Sequence, residues 1–168
     1  EAKKVLVTLA DGTTNTITDK TRQSVDDEDF SSAVYSKADL VFNGNGTLNV
    51  NAGYRNGIKS TDDLKVVSGT FNITSNEDGI IGKDLLGIKD GKFTIKSGSD
   101  GMKSTYDTDT SKGNIVITGG EFDITASNDG IHCNEDILIS GGNLTISSGD
   151  DGVHADDKRL GTQTVRKY

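Results

Sequence analysis

The sequence predicts an all-β fold, a right-handed parallel β-helix, and three observations predict it. One glycine recurs: Gly57, Gly79, Gly101, Gly130 and Gly152 follow one another at spacings of 22, 22, 29 and 22 residues. Each interval carries three short stretches in which apolar and polar residues alternate. Like residues also take like places in successive intervals, as Phe71, Phe93 and Phe122 do. A unit of three short strands cannot cover its own apolar face, but units stacked in register close a continuous core. A coil of 22 residues exceeds the roughly 18 of three hexapeptide faces, which favours the right-handed form.

The strands follow in order. The first of each coil carries Leu64/Val66, Leu86/Ile88, Ile115/Ile117 and Ile137/Ile139. The second carries Leu48/Val50, Phe71/Ile73, Phe93/Ile95, Phe122/Ile124 and Leu144/Ile146. The third carries Ile58/Ser60, Ile80/Gly82, Met102/Ser104, Ile131/Cys133 and Val153/Ala155. Each pair has period 2, so one set faces inward and its neighbours outward. An earlier copy, SSAVYSKADL, matches RNGIKSTDDL with Ala33 in the glycine place. The opening KKVLVTLADGTTNTITD reads as one alternating strand and a turn. The longer interval holds an insertion around YDTDTSKG. Coils are expected over 1–157, as an N-terminally incomplete part of a longer domain, with an irregular tail over 158–168. The ends of such a stack need caps, so end-to-end contact with another coil, domain or chain is expected.

Composition agrees. The chain has 168 residues, enough for one core, with 21 glycines and no proline. That suits many short strands and turns in which nearly every backbone N–H is needed for pairing. A net charge of −8 argues against nucleic acid or an anionic membrane as a direct partner. No apolar run approaches the roughly 18–20 residues of a membrane span. The single cysteine, Cys133, is placed in the core.

The residue before the recurring glycine reads Asn56, Asp78, Asp100, Asp129, Asp151. Five residues after that glycine come Asp62, Asp84, Glu135 and Asp157, with Asp63 and Asp136 adjacent. Stacked in register, these form two acidic columns at opposite ends of the third strand. Carboxylates about 5 Å apart repel by roughly 0.8 kcal/mol in water and about 3 kcal/mol at an effective dielectric of 20. Something must offset that repulsion. One answer is turn chemistry, with Asx side chains accepting local N–H groups, glycine supplying positive φ and carboxylates splaying into solvent. The other is Ca²⁺, which takes carboxylate and carbonyl oxygens. The insertion adds Asp107, Asp109 and Ser111 at alternating positions, like the start of an EF-hand loop. Its glycine comes one place late and no bidentate glutamate follows at the right distance, so the choice there lies between a calcium loop and a solvated acidic loop.

The repeated DDLKVVSGTFNITSNEDGI, GIKDGKFTIKSGSDGMKS and NIVITGGEFDITASNDGI resemble the secreted bacterial carbohydrate-binding β-helix proteins that bind polygalacturonate and cellulose. Those share the right-handed β-helix of pectate lyases and carry calcium. The resemblance covers about residues 1–157 and implies a secreted or cell-surface location, further coils upstream and a polysaccharide partner. It implies Ca²⁺ at Asp78, Asp100, Asp129 and Asp151, and extends to Asp107 and Asp109.

On the third strand the outward residues run Tyr35, Lys59, Ile81, Lys103, His132, His154, with Lys83 two places along its coil. Such a stripe suits an extended polymer. Lys59, Lys83 and Lys103 are expected to pair with uronate carboxylates, and Tyr54 and Tyr106 to stack on sugar faces. His132 and His154 belong to the same stripe and lack a third histidine or an outward cysteine to make a metal set. The alternative for each is a solvated top of a β-surface. Three functions compete: non-catalytic, calcium-dependent binding of pectin or cellulose, which is the expected one; a calcium-dependent lyase with Lys103 as base; and a structural or adhesive repeat. Ice binding is excluded, because the outer face of the second strand mixes Lys92, Lys96, Glu121 and Asp123 with its threonines.

Overall fold

The computed structural model describes residues 3–20, 31–106 and 108–156. Six coils follow one another. The first contains β1 (Lys4–Leu9), β2 (Thr14–Asp19) and β3 (Ser32–Ser36). The second contains β4 (Asp39–Gly44), β5 (Thr47–Ala52) and β6 (Asn56–Ser60). The third contains β7 (Asp63–Val66), β8 (Thr70–Ser75) and β9 (Ile80–Gly82). The fourth contains β10 (Leu85–Ile88), β11 (Lys92–Ser97) and β12 (Met102–Ser104). The fifth contains β13 (Asn114–Ile117), β14 (Glu121–Ala126) and β15 (Ile131–Cys133), and the sixth β16 (Ile137–Ile139), β17 (Asn143–Ser148) and β18 (Val153–Ala155). First, second and third strands form three separate six-stranded parallel sheets, each in coil order. This is the right-handed parallel β-helix the repeat predicts. One element differs from expectation: the opening segment supplies two strands, β1 and β2, because the turn at Gly12 (φ 70) joins them.

Like residues stack. Phe71, Phe93 and Phe122 pair in register across β8, β11 and β14. Their rings lie parallel, with centroids 5.1 and 4.9 Å apart. Phe42 meets Phe71 edge-on at 5.4 Å. Leu64, Leu86 and Ile115 form a second buried row, and Ile58, Ile80, Met102 and Ile131 a third. Cys133 is fully buried in that core and burial pushes its thiol up to about 11, so it is packing rather than chemistry. Ser60 and Ser104 are buried as expected, whereas Ala155 on the sixth coil is exposed.

The recurring glycine has a different cause from the turn chemistry expected of it. Positive φ belongs to Gly69, Gly91, Gly120 and Gly142, which precede the second strands. Gly79 is instead fixed by close approach. A Cβ there would sit 2.5 Å from the carbonyl oxygen of Gly101 and 2.6 Å from Cγ2 of Ile95. Gly57, Gly101 and Gly130 repeat the arrangement. Coil n therefore rests directly on coil n+1 where the chain enters the third strand. Gly79→Ala is expected to cost about 2–3 kcal/mol in chemical denaturation. Gly152→Ala, with nothing within 4 Å of its Cβ, is expected to be close to neutral. Equal effects at the two sites would rule out close approach as the reason for the repeat.

Candidate functional site

The third sheet carries the acids and the cations together. The Asx residues before its strands form a continuous relay between coils. The backbone N–H of Asp78 donates to Oδ1 of Asn56 at 3.0 Å, and that of Asp100 to Oδ1 of Asp78 at 3.0 Å. The N–H of Asp129 donates to Oδ1 of Asp100 at 3.1 Å, and that of Asp151 to Oδ1 of Asp129 at 3.0 Å. Asp78, Asp100 and Asp129 are all buried. Each uses one oxygen to fix the next coil, and an asparagine does the same at position 56.

The other oxygen faces the outward basic side chains of the third strands. Lys103 Nζ lies 2.7 Å from Oδ2 of Asp100 and 3.4 Å from Oδ2 of Asp78. His132 Nδ1 lies 3.1 Å from Oδ2 of Asp100 and 3.8 Å from Oδ2 of Asp129. His154 Nδ1 lies 3.1 Å from Oδ2 of Asp129 and 3.6 Å from Oδ2 of Asp151. Nitrogen and carboxylate thus alternate along the axis. At Asp78, Asp100 and Asp129 the column does not splay into solvent, as turn chemistry would have it, but buries the acids and threads basic side chains between them, while Asp151 on the last coil stays exposed. Burial pushes the Asp100 carboxyl up, yet hydrogen bonds from Lys103 and Asn128, the Lys103 charge and the His132 contact outweigh it and bring it down to about 2. Burial lowers Lys103, but the charges of Asp78 and Asp100 and their hydrogen bonds leave it raised. The hydrogen bond with Asp129 raises His154.

Farther down the same sheet the expected lysines meet. Lys59, Lys83 and Lys103 line one groove of about 210 Å³ with Arg55, Glu77 and Asp78. Arg55, absent from the residues expected there, donates through Nε to both carboxylate oxygens of Glu77, at 3.0 and 3.1 Å. Ile81 belongs to the outward row yet is buried in the groove floor. Tyr106 is not a groove residue, but it meets one of them, its ring under Lys83 Nζ at 5.2 Å and Lys112 Nζ at 4.7 Å. Tyr54 lies on the turn before β6, its N–H donating to Asp19, and is not among the groove residues. His132 and His154 stack on one another at 4.9 Å in the coils beyond.

Asp107 lies outside the described residues. Asp109 is fully exposed and accepts the N–H and hydroxyl of Ser111 at 3.0 and 2.7 Å, which is the geometry of a capped turn. The loop's Lys112 reaches the second acidic column by pairing with Asp84. In that column Asp39, Asp62 and Asp63 bring carboxylate oxygens within 4.8 Å of one another. Burial raises Asp62, and so do the charges of Asp39 and Asp84 and a hydrogen bond with the Asp84 carboxyl. Oδ1 of Asp84 is buried without a hydrogen-bond partner. Asp39 was missed because Ala33 stands in the glycine place before it, although it follows Ala33 by the same six residues that separate Asp63 from Gly57.

A family model for carbohydrate-binding domain-containing proteins matches residues 1–166. A carbohydrate-binding domain-containing protein of Acetivibrio thermocellus is 37% identical over 75 residues, 43% of this chain and 26% of that protein. A solved structure, the polysaccharide lyase-like protein from C. thermocellum as a gadolinium derivative, superposes with a TM-score of 0.87 at 32% identity. The superposition covers 91% of this chain and 63% of that one. The chain thus spans about a quarter of the first relative and under two thirds of the second.

Proposed function

Since the chain belongs to the family of carbohydrate-binding domain-containing proteins, we propose that it holds an acidic polysaccharide of the pectin type, without cleaving it, along the groove of the third sheet. One observation carries this reading. A protein of net charge −8 gathers Arg55, Lys59, Lys83 and Lys103 around a single groove, and its axis runs with the coils, as an extended polymer requires. Lysine ammonium groups pair with uronate carboxylates by charge-assisted hydrogen bonds. Tyr106 holds Lys83 and Lys112 over its ring beside the groove, and His132 and His154 continue the stripe. Cellulose, which is neutral, would draw on the tyrosine and hydroxyl contacts and not on the lysine charges.

Ca²⁺ is part of the proposal. In the column of Asp78, Asp100, Asp129 and Asp151, backbone N–H groups and basic side chains already engage the carboxylates. The second column fits a hard cation better: Asp39, Asp62 and Asp63 converge, and Asp84 beside Asp62 keeps a buried oxygen without a hydrogen-bond partner among the described residues. Bound there, Ca²⁺ would supply positive charge that lets an acidic glycan approach an acidic protein. The lyase reading has the polysaccharide lyase-like neighbour in its favour, but a base must shed its proton near neutral pH. Asp78 and Asp100 hold Lys103 protonated, which speaks for a binding role.

Retention on insoluble polygalacturonate and on cellulose, with Ca²⁺ or with chelator, tests the proposal, together with absorbance of unsaturated product. The expected result is Ca²⁺-dependent retention on polygalacturonate, no product, and a more than tenfold loss of affinity in Lys59→Ala/Lys83→Ala. Sustained product formation, or retention by no glycan, would overturn it.

A further inference from the structure

The two topmost rungs of the acid–base ladder differ from the lysine rung beneath them. His132 and His154 stand in register on β15 and β18, and their rings stack 4.9 Å apart at an angle of 20°. Both rings meet carboxylates at both ends. On the Nδ1 side stand Asp100, Asp129 and Asp151. On the Nε2 side Asp156 spans the pair, with Oδ2 3.4 Å from His132 and Oδ1 3.2 Å from His154. A neutral imidazole has one N–H and one lone pair, so it satisfies one of these ends and turns its lone pair on an anion at the other. Four acids around two imidazoles leave room for more positive charge. Either each ring takes a second proton, stacking two cations face to face, or a metal ion takes the lone pairs.

The geometry points to the second arrangement: we propose that Nδ1 of His132, Nδ1 of His154 and Oδ2 of Asp129 form a site for a borderline divalent transition metal of the Zn²⁺ class. The ligand atoms of these three residues lie within 4.8 Å of one another. At metal–ligand bonds of about 2.0–2.1 Å, tetrahedral ligands stand about 3.3–3.4 Å apart. The Asp129–His154 and Asp129–His132 separations of 3.1 and 3.8 Å bracket that value. Asp156 then does what a carboxylate behind metal-bound histidines does: it accepts both Nε2–H groups and fixes tautomer and ring plane. Imidazole nitrogen selects Zn²⁺, Ni²⁺, Cu²⁺ or Co²⁺ over Ca²⁺. The site is therefore chemically distinct from the all-oxygen column of Asp39, Asp62 and Asp63. His132 and His154 are partly exposed, so a fourth position opens to solvent on the face that carries the groove. Metal binding displaces a proton from any Nδ1 that carries one.

Calorimetric titration of chelator-stripped protein with Zn²⁺ at pH 7.5 tests this, alongside His132→Gln, His154→Gln and Asp129→Asn. The asparagine keeps the Oδ1 relay, as Asn56 does, and replaces the ligating Oδ2 with an amide NH₂ that does not bind the metal. The expected result is one Zn²⁺ per chain, affinity reduced at least tenfold in each variant, and no displacement by a hundredfold excess of Ca²⁺. Imidazole ¹⁵N shifts are expected to place the metal on Nδ1. Absence of Zn²⁺ binding, affinity unchanged within twofold in Asp129→Asn, displacement by Ca²⁺, or a metal shift on Nε2 would each overturn the assignment. Retention of the unsubstituted protein on polygalacturonate is a separate measurement, so failure of the metal site and failure of the glycan reading are distinguishable.

Discussion

Methionine in place of Lys103 is expected to lower the unfolding free energy by about 3 kcal/mol, although the side chain sits on an outer face. Lys103 Nζ stands between Oδ2 of Asp100 and Oδ2 of Asp78, and Asp100 is 1% exposed. Removing one partner of a buried ion pair costs about 3–5 kcal/mol, because the remaining charge is neither solvated nor paired. The lower end applies here. Asn128 Nδ2 at 2.7 Å, the Asp129 N–H and His132 still contact the Asp100 carboxylate. Asp100→Asn should recover most of the loss in the double variant, since an asparagine at Asn56 already sustains the same relay. Additive single and double costs would show that the two side chains are not coupled.

Acid titration gives the same prediction an independent readout. Asp100 titrates at about 2 in the folded chain, against 3.8 for an unperturbed group. A depressed carboxyl stabilises the fold above its unfolded value, so the contribution of about 2 kcal/mol is complete above roughly pH 4. It disappears as the pH falls through the folded value near 2. The Lys103→Met protein, having lost the main cause of the depression, is expected to show a shallower decline over that window.

The rows of like residues were legible because a register-locked stack turns sequence spacing directly into position. Phe71, Phe93 and Phe122, the outward run from Tyr35 to His154 and the Asx column all fall where the repeat puts them. Spacing says which residues share a row, but not how two neighbouring rows interlock. The buried acids were therefore assigned to solvent or calcium, when the cations one row away thread between them. A signal was present: Asp100 and Lys103, Asp129 and His132, Asp151 and His154 each stand three apart. The recurring glycine was credited with backbone freedom because contact between coils leaves no trace in a single coil's composition. Arg55 and Asp39 entered their clusters through the fold's axial packing, which joins residues from different repeats.

Phe93→Ala is expected to be the most damaging single substitution, at about 3–5 kcal/mol. The ring is 1% exposed and lies between two parallel rings, Phe71 at 5.1 Å and Phe122 at 4.9 Å. Its edge packs where a Cβ on Gly91 would meet Cε2 at 3.0 Å. Alanine removes contacts on both flat faces at once. The coils cannot close the gap, because the ladders on either side hold β11 in register with β8 and β14. The same change at Phe122 should cost less: one face stacks on Phe93, but the other meets Leu144, which is only partly buried. Urea denaturation of both variants decides the matter. A cost below about 2 kcal/mol for Phe93→Ala, or a larger one for Phe122→Ala, would mean that the aromatic stack is not what holds successive coils in place. The aligned face of Lys59, Lys83 and Lys103 would then need another explanation.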